Sequence, residues 1–137
     1  MSQLEMPKID SKTLDKKELY IKELKKIVKK ENVLSHNDEI RPYETDALTA
    51  YREMPMIVVL PETVNQVSLI LKFCNENKIK VVPRGAGTGL SGGSLPLKDC
   101  VLISMSKFNK ITEVDYTNRC VRAQPCVTNL AITRSVQ

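Results

Sequence analysis

The apolar positions of the 137-residue chain fall into several unlike patterns, and the sharpest lies in the middle. Residues 56–60 (MIVVL) form an unbroken apolar run closed by Pro61, and residues 79–83 (IKVVP) form a second. Between them, Thr63 to Asn77 carries Val64, Val67, Leu69, Ile70, Leu71, Phe73 and Cys74 at helical spacing, and Asn75, Asn77 and Lys78 end the pattern. Apolar runs without alternation belong to strands covered on both faces. The series strand–helix–strand therefore predicts a βαβ unit with a parallel strand pair and a right-handed crossover. A third apolar run, 101–105 (VLISM), is expected to join the same sheet.

The flanks are less regular. Leu14, Leu19, Leu24, Ile27 and Val28 fall on one face of a helix predicted over Leu14 to Lys30, with Lys and Glu on the solvated side. Residues 1–12 are polar and expected to be loose. Residues 35–55, with Pro42 and Pro55 and no clear period, read as an extended loop holding a short turn. Residues 110–116 and 119–124 predict two strands joined at Thr117–Asn118, and Thr128 to Gln137 predicts a helix with Thr128 as N-cap. This divides the chain into a tail with a Lys-rich amphipathic helix (1–34) and a main domain (35–137).

Composition narrows the function classes. Apolar residues at 42% and charged residues at 27% suit a globular domain and exclude collagen, low-complexity disorder and a coiled coil. No stretch approaches the ~18 apolar residues of a membrane span. The N-terminus has no apolar secretory core, so a cytoplasmic location is expected. The net charge of +5 is concentrated at one end, where residues 1–30 hold nine Lys against five acidic residues. Nucleic-acid modules carry the basic stripe on the folded domain with aromatics interleaved, and aromatics here are 4%, so no nucleic-acid partner is expected. Cys74, Cys100, Cys120 and Cys126 form no CxxC, and His36 is the single histidine and stands apart from them. Four free thiols and no metal site are therefore expected, with His36 a solvated loop residue.

All five glycines lie within nine residues, Gly85, Gly87, Gly89, Gly92 and Gly93, in VVPRGAGTGLSGGSLPL. Each costs about 0.5–1 kcal/mol in backbone entropy relative to Ala, a cost that a plain connector has no reason to concentrate. The loop follows a strand, where open α/β sheets place ligands. Without Cβ atoms, successive N–H groups can form a concave nest for an anion. Phosphate is the natural guest, with the hydroxyls of Thr88, Ser91 and Ser94 and the cation Arg84 to assist. No Lys occurs between Lys80 and Lys98, which excludes a P-loop. Gly87–Gly92 spells GxGxxG, but Pro96 and the next strand leave no room for the helix that a Rossmann site needs. Any phosphate is then held by loop amides alone. A stand-alone small anion- or nucleotide-binding or interaction module remains an alternative use of the same loop.

The segment PRGAGTGLSGGSLPL resembles the pyrophosphate loop of the FAD-linked oxidase family, whose flavin domain has the p-cresol methylhydroxylase (PCMH) type of fold. The resemblance spans about residues 34–137 and is nearest to the branch of bacterial glycolate oxidases and D-lactate dehydrogenases. It implies an α+β (α/β) fold: the N-terminal portion of a PCMH-type FAD-binding domain, with a βαβ parallel core, a glycine-rich loop and further strands, truncated. It also implies descent from a flavoprotein that oxidises glycolate or D-lactate by passing the C2 hydride to FAD, a reaction not expected from this chain alone. No catalytic or metal-ligating residue is expected in it.

By position in the motif, the cofactor-binding residues would be Pro83, Arg84, Gly85, Ala86, Gly87, Thr88, Gly89, Leu90, Ser91, Gly92, Gly93 and Pro125, with Pro61 and Gln124 near the adenosine half. No His lies in the loop, so FAD would be non-covalent. The implied partners are FAD, a chain supplying the C-terminal half, and the iron–sulfur subunits of a glycolate oxidase complex, through which a peripheral place at the inner membrane would follow. Where the family reads QPGV, this chain has Gln124, Pro125, Cys126 and Val127. If that position needs a positive φ, Cys126 brings strain of about 1 kcal/mol. A partial domain is also expected to leave apolar surface uncovered.

Overall fold

A computed structural model describes residues 7–137. The sheet at its centre has the order β1-β2-β4-β3, built from β1 (Val33–Leu34), β2 (Ile57–Val59), β3 (Lys80–Arg84) and β4 (Cys100–Ser104). β2, β4 and β3 run parallel, and β1 pairs antiparallel with β2. The expected parallel unit is present, but β2 and β3 are not neighbours, because β4 lies between them and pairs with both. The reason is burial. β4 is buried at all five positions, while β3 holds the partly exposed Lys80, Val81 and Arg84 and lies at the sheet's edge.

Alternate residues of β2 and β4 face opposite layers. Ile57, Val59, Val101 and Ile103 pack with α2 (Lys17–Ile27) and α4 (Val64–Glu76), whereas Val58 and Leu102 pack with Ile40 and the partly buried Tyr43 and Met54. Each fully buried aliphatic side chain contributes roughly 1.5–3 kcal/mol. Tyr20 of α2 meets Phe73 of α4 edge to face at 5.8 Å, joining the two helices over the sheet. α4 opens on Thr63, whose hydroxyl accepts from the Gln66 N–H, and stops where Lys78 turns into the left-handed region at φ 56°.

Three expectations change at the N-terminal side. The single helix over Leu14–Lys30 is two, α1 (Ser11–Asp15) and α2, separated at Lys16. Tyr20 and Ile21 occupy the buried face with Leu24, while Leu19 points outward. The helix shares one core with the sheet. The stretch expected to be an extended loop holds α3 (Asn37–Ile40) and a 3-10 turn at Arg41–Tyr43, because the Glu39 carboxylate accepts from the N–H groups of Ser35 and His36 and winds the chain. His36 is exposed at the start of α3.

Of the tail expected to be loose, residues 1–6 lie outside the described residues, and the rest is tied down. Asp99, buried below β4, accepts from the Asp10 N–H and from Lys80 Nζ, both at 2.7 Å, and Lys80 also donates to the Lys8 carbonyl. Burial alone would raise the Asp99 carboxyl; the Lys80 ammonium and the Asp10 N–H outweigh it and hold the group below its ordinary value. Beyond the sheet, β5 (Ile111–Asp115) and β6 (Cys120–Ala123) form a separate two-stranded hairpin closed by Asp115, whose carboxylate accepts from Asn118, and α5 (Asn129–Ser135) follows Thr128 as expected.

Candidate functional site at the C-terminal edge of the sheet

Because β2, β3 and β4 are parallel, their C-terminal ends reach one edge of the sheet together. Pro61 follows β2 there, Gly85 follows β3 and Ser106 follows β4. A cleft of about 390 Å³ opens at this edge, lined by Gly85, Ala86, Ser106, Asn109, Cys126, Val127, Thr128 and Ala131. That volume is toward the low end of the roughly 300–1,000 Å³ usual for ligand pockets. The wall opposite the loop is fixed by the sheet's continuation, since the Cys126 N–H donates to the Phe108 carbonyl at 2.9 Å and the Gln124 N–H to the Lys110 carbonyl at 2.9 Å.

No helix forms between Arg84 and Cys100, which is the geometry that separates this loop from a Rossmann site. Gly87 and Gly92 both take φ +73°, a left-handed conformation that glycine adopts without penalty. Among the described residues, no backbone N–H from Gly85 to Ser94 donates to another protein group, and the next loop donor is Leu95, onto the Gly92 carbonyl. A run of free amides around two left-handed glycines suits a multiply charged anion. A Cβ at Gly85 would stand 3.9 Å from Cys126 Sγ, and nothing lies within 4 Å of one at Gly89 or Gly93.

The sequence-predicted residues separate into groups. Gly85 and Ala86 line the cleft, and Pro125 adjoins Cys126 in its wall. Pro83 and Arg84 end β3. Thr88, Gly89, Leu90, Ser91 and Gly93 form an exposed arch beyond the cleft, and Gly92, partly covered, would bring a Cβ within 3.6 Å of Leu48. Pro61 is fully buried at the same edge. The Arg84 guanidinium lies beside Gly87 and reaches the neighbouring segment: Nη1 donates to the Thr45 carbonyl at 2.7 Å, and the group lies over the Tyr43 ring at 5.7 Å.

Cys126 corrects an expectation. It is not in the left-handed region, where the only non-glycine members among the described residues are Lys78 and Arg119, so it carries no backbone strain of the kind anticipated. Burial raises its thiol above the ordinary value. Sequence reasoning missed Ser106, Asn109, Val127, Thr128 and Ala131. For Ser106 and Asn109 the signal was the edge rule itself, since whatever follows a third parallel strand must meet the same crevice. Val127, Thr128 and Ala131 follow the antiparallel hairpin, and no pattern in the sequence brought them to this edge.

The fold and this edge define a class: an α/β domain with a helix-free glycine loop at the C-terminal edge of a parallel sheet. A family model described as an FAD binding domain matches residues 55–137. The chain belongs to that family, and FAD is the cofactor of the family. It is 49% identical over 104 residues to the glycolate oxidase subunit GlcD of Escherichia coli (strain K12), covering 76% of this chain and 21% of that protein. It is 44% identical over 101 residues to a D-lactate dehydrogenase of Archaeoglobus fulgidus, covering 73% and 22%. Among solved structures, p-cresol methylhydroxylase with substrate bound superposes with a TM-score of 0.77 at 25% identity, over 94% of this chain and 25% of that one. The chain thus spans about a fifth of the length of these curated relatives. Among the described residues, no helix is long and apolar enough to cross a membrane, and no group of acidic, His or Cys side chains could hold a metal ion.

Proposed function

We propose that this chain is the pyrophosphate-binding part of an FAD domain from a 2-hydroxy-acid dehydrogenase of the glycolate oxidase type. The amides of Gly85–Gly93 receive the pyrophosphate, and the cleft between Gly85–Ala86 and Cys126–Ala131 receives the adjoining nucleotide, with Pro125 next in the chain to Cys126 of its wall. The observation that carries this reading is the run of undonated N–H groups around two left-handed glycines at the C-terminal edge of a parallel sheet. These donors fit a diphosphate, and the lack of a histidine in the loop makes the association non-covalent. Bound flavin supplies hydride acceptance, and the chain's own residues bind and orient it. Oxidation of glycolate or D-lactate, and assembly with subunits carrying iron–sulfur centres, would belong to a longer protein or complex of which this chain provides about a fifth.

An FAD titration followed by flavin fluorescence and absorbance tests the reading, with Gly89→Asp as the control. A Cβ at Gly89 meets nothing within 4 Å, so the added carboxylate opposes the diphosphate without disturbing the fold. Saturable binding weakened by at least about tenfold in Gly89→Asp and little changed in Gly89→Ala is expected. Equal binding by wild type and Gly89→Asp would refute the assignment of the loop.

A further inference from the structure

Arg84 is the one cation inside the glycine motif, yet its guanidinium points at residues 43–48. That segment is a closed, well-anchored loop. The Glu53 N–H donates to the Glu44 carbonyl at 2.8 Å, Thr45 Oγ1 donates to the Tyr51 carbonyl at 3.1 Å, and buried Asp46 accepts from the Leu48 N–H at 2.9 Å. Tyr43 packs on the Val58–Leu102 face of the sheet. The glycine loop meets this segment at two places: Arg84 on Thr45 and Tyr43 at the loop's start, and Gly92 beside Leu48 near its end. The guanidinium also occupies the space a Cβ on Gly87 would need, with Nε 2.7 Å from that position and Nη2 and Cζ closer still.

We propose that Arg84 is a positioning residue and not a phosphate ligand: it clasps the glycine loop to the 43–48 segment, and Gly87 is glycine partly to admit that clasp. A guanidinium is suited to the task, since it is planar, weakly hydrated, able to stack on a ring and able to donate to a carbonyl at once. The clasp orders the arch before any ligand arrives. The saving in ordering cost then appears as affinity for whatever the amides bind. Where that ligand is FAD, the effect on affinity rests on the reading given above; the ordering of the loop does not.

The test is made on the full chain by NMR relaxation and by FAD titration. In Arg84→Ala, backbone order parameters across Gly85–Gly93 should fall from about 0.85 to below about 0.6, while those of β2 and β4 stay unchanged and report an intact sheet. Tyr43→Leu, which keeps the apolar anchor and removes the ring, should give a smaller fall in the same residues. Unchanged order in the arch of both variants overturns the clasp.

In the titration, Arg84→Ala should weaken FAD on the order of tenfold, by the same ratio at low and high salt. A ratio that shrinks with salt would mean that Arg84 contacts the diphosphate, because direct ionic contacts are screened. Gly87→Ala should evict the guanidinium, so its effect and that of Arg84→Ala should be less than additive; full additivity counts against the clasp. If wild type binds no FAD, the function assigned above fails and the order parameters alone decide this proposal.

Discussion

The four-stranded sheet and the C-terminal hairpin are both made of residues that favour strands, and they are buried very differently. Ile57, Val58, Val59, Val101 and Leu102 have no solvent exposure at all. β5, β6 and α5 contain no buried residue. The sheet has a layer on each side. The hairpin has α5 on one side only, leaving an apolar hollow of about 350 Å³ lined by Val114, Tyr116, Val121, Ile132 and Val136, among others. Local signals are equally good in both regions, since α4 beside the sheet and α5 beside the hairpin each have a threonine N-cap and the hairpin turn is fastened by Asp115. What separates them is cover, which a local pattern does not provide.

The largest expected contrast lies in thiol chemistry. The thiolate is the reactive form, and burial pushes the thiols of Cys74 and Cys100 up to about 12 and about 11, the rise at Cys100 being partly offset by the Leu97 N–H that donates to its sulfur. Cys120 is exposed on the hairpin. Alkylation at pH 8, followed by peptide mass spectrometry, should modify Cys120 at least about a hundredfold faster than Cys74 or Cys100. Cys126 should lie between them and be shielded by added FAD, because it lines the cleft. Comparable rates at Cys100 and Cys120 would mean that the sheet opens as readily as the hairpin.

A smaller effect, on stability, sharpens the same contrast. Leu102 is fully enclosed between the two layers, so Leu102→Ala should cost about 2–5 kcal/mol in urea unfolding. Val121 is half-buried on one side, and Val121→Ala should cost under about 1 kcal/mol. Similar losses at the two sites would show that the hairpin unfolds with the sheet as one unit.

The same difference explains what could be read from the chain. The runs 56–60 and 101–105 announce buried strands because both faces are apolar almost throughout, the run 79–83 announces a strand that is only partly covered at the sheet's edge, and the glycine cluster announces its loop because no other use explains its cost. Strand β1 is two residues long and has no period to detect. The placement of β4 between β2 and β3 depends on which strand needs cover on two edges, a property of the assembled sheet. The Arg84 clasp was invisible for another reason. Its acceptor is a main-chain carbonyl 39 residues away, and a carbonyl has no sequence signature. Cys126 shows the opposite error: a departure from a motif suggested strain, and the backbone there needs no left-handed residue.

The smallest effect is the most discriminating, because it compares two chemically identical caps. Thr63 Oγ1 accepts from the Gln66 N–H at 3.2 Å, and Thr128 Oγ1 accepts from the Ala131 N–H at 3.2 Å. Removing either hydroxyl strips one hydrogen bond from a helix N-terminus, worth about 0.5–2 kcal/mol. α4 buries Ile70 and Cys74 in the main core, so Thr63→Ala should lower the global unfolding free energy by that amount and the urea midpoint with it. α5 buries nothing, so it can open while the sheet stays folded, and the loss in Thr128→Ala is absorbed before global unfolding begins. Faster amide exchange confined to Asn129–Ser135, with an unchanged midpoint, is the expected outcome. A midpoint shift equal to that of Thr63→Ala would tie α5 to the core and remove the distinction between the two regions. If FAD restores protection to α5 in the same experiment, the ligand orders the helix, as the proposed use of the cleft lined by Ala131 requires.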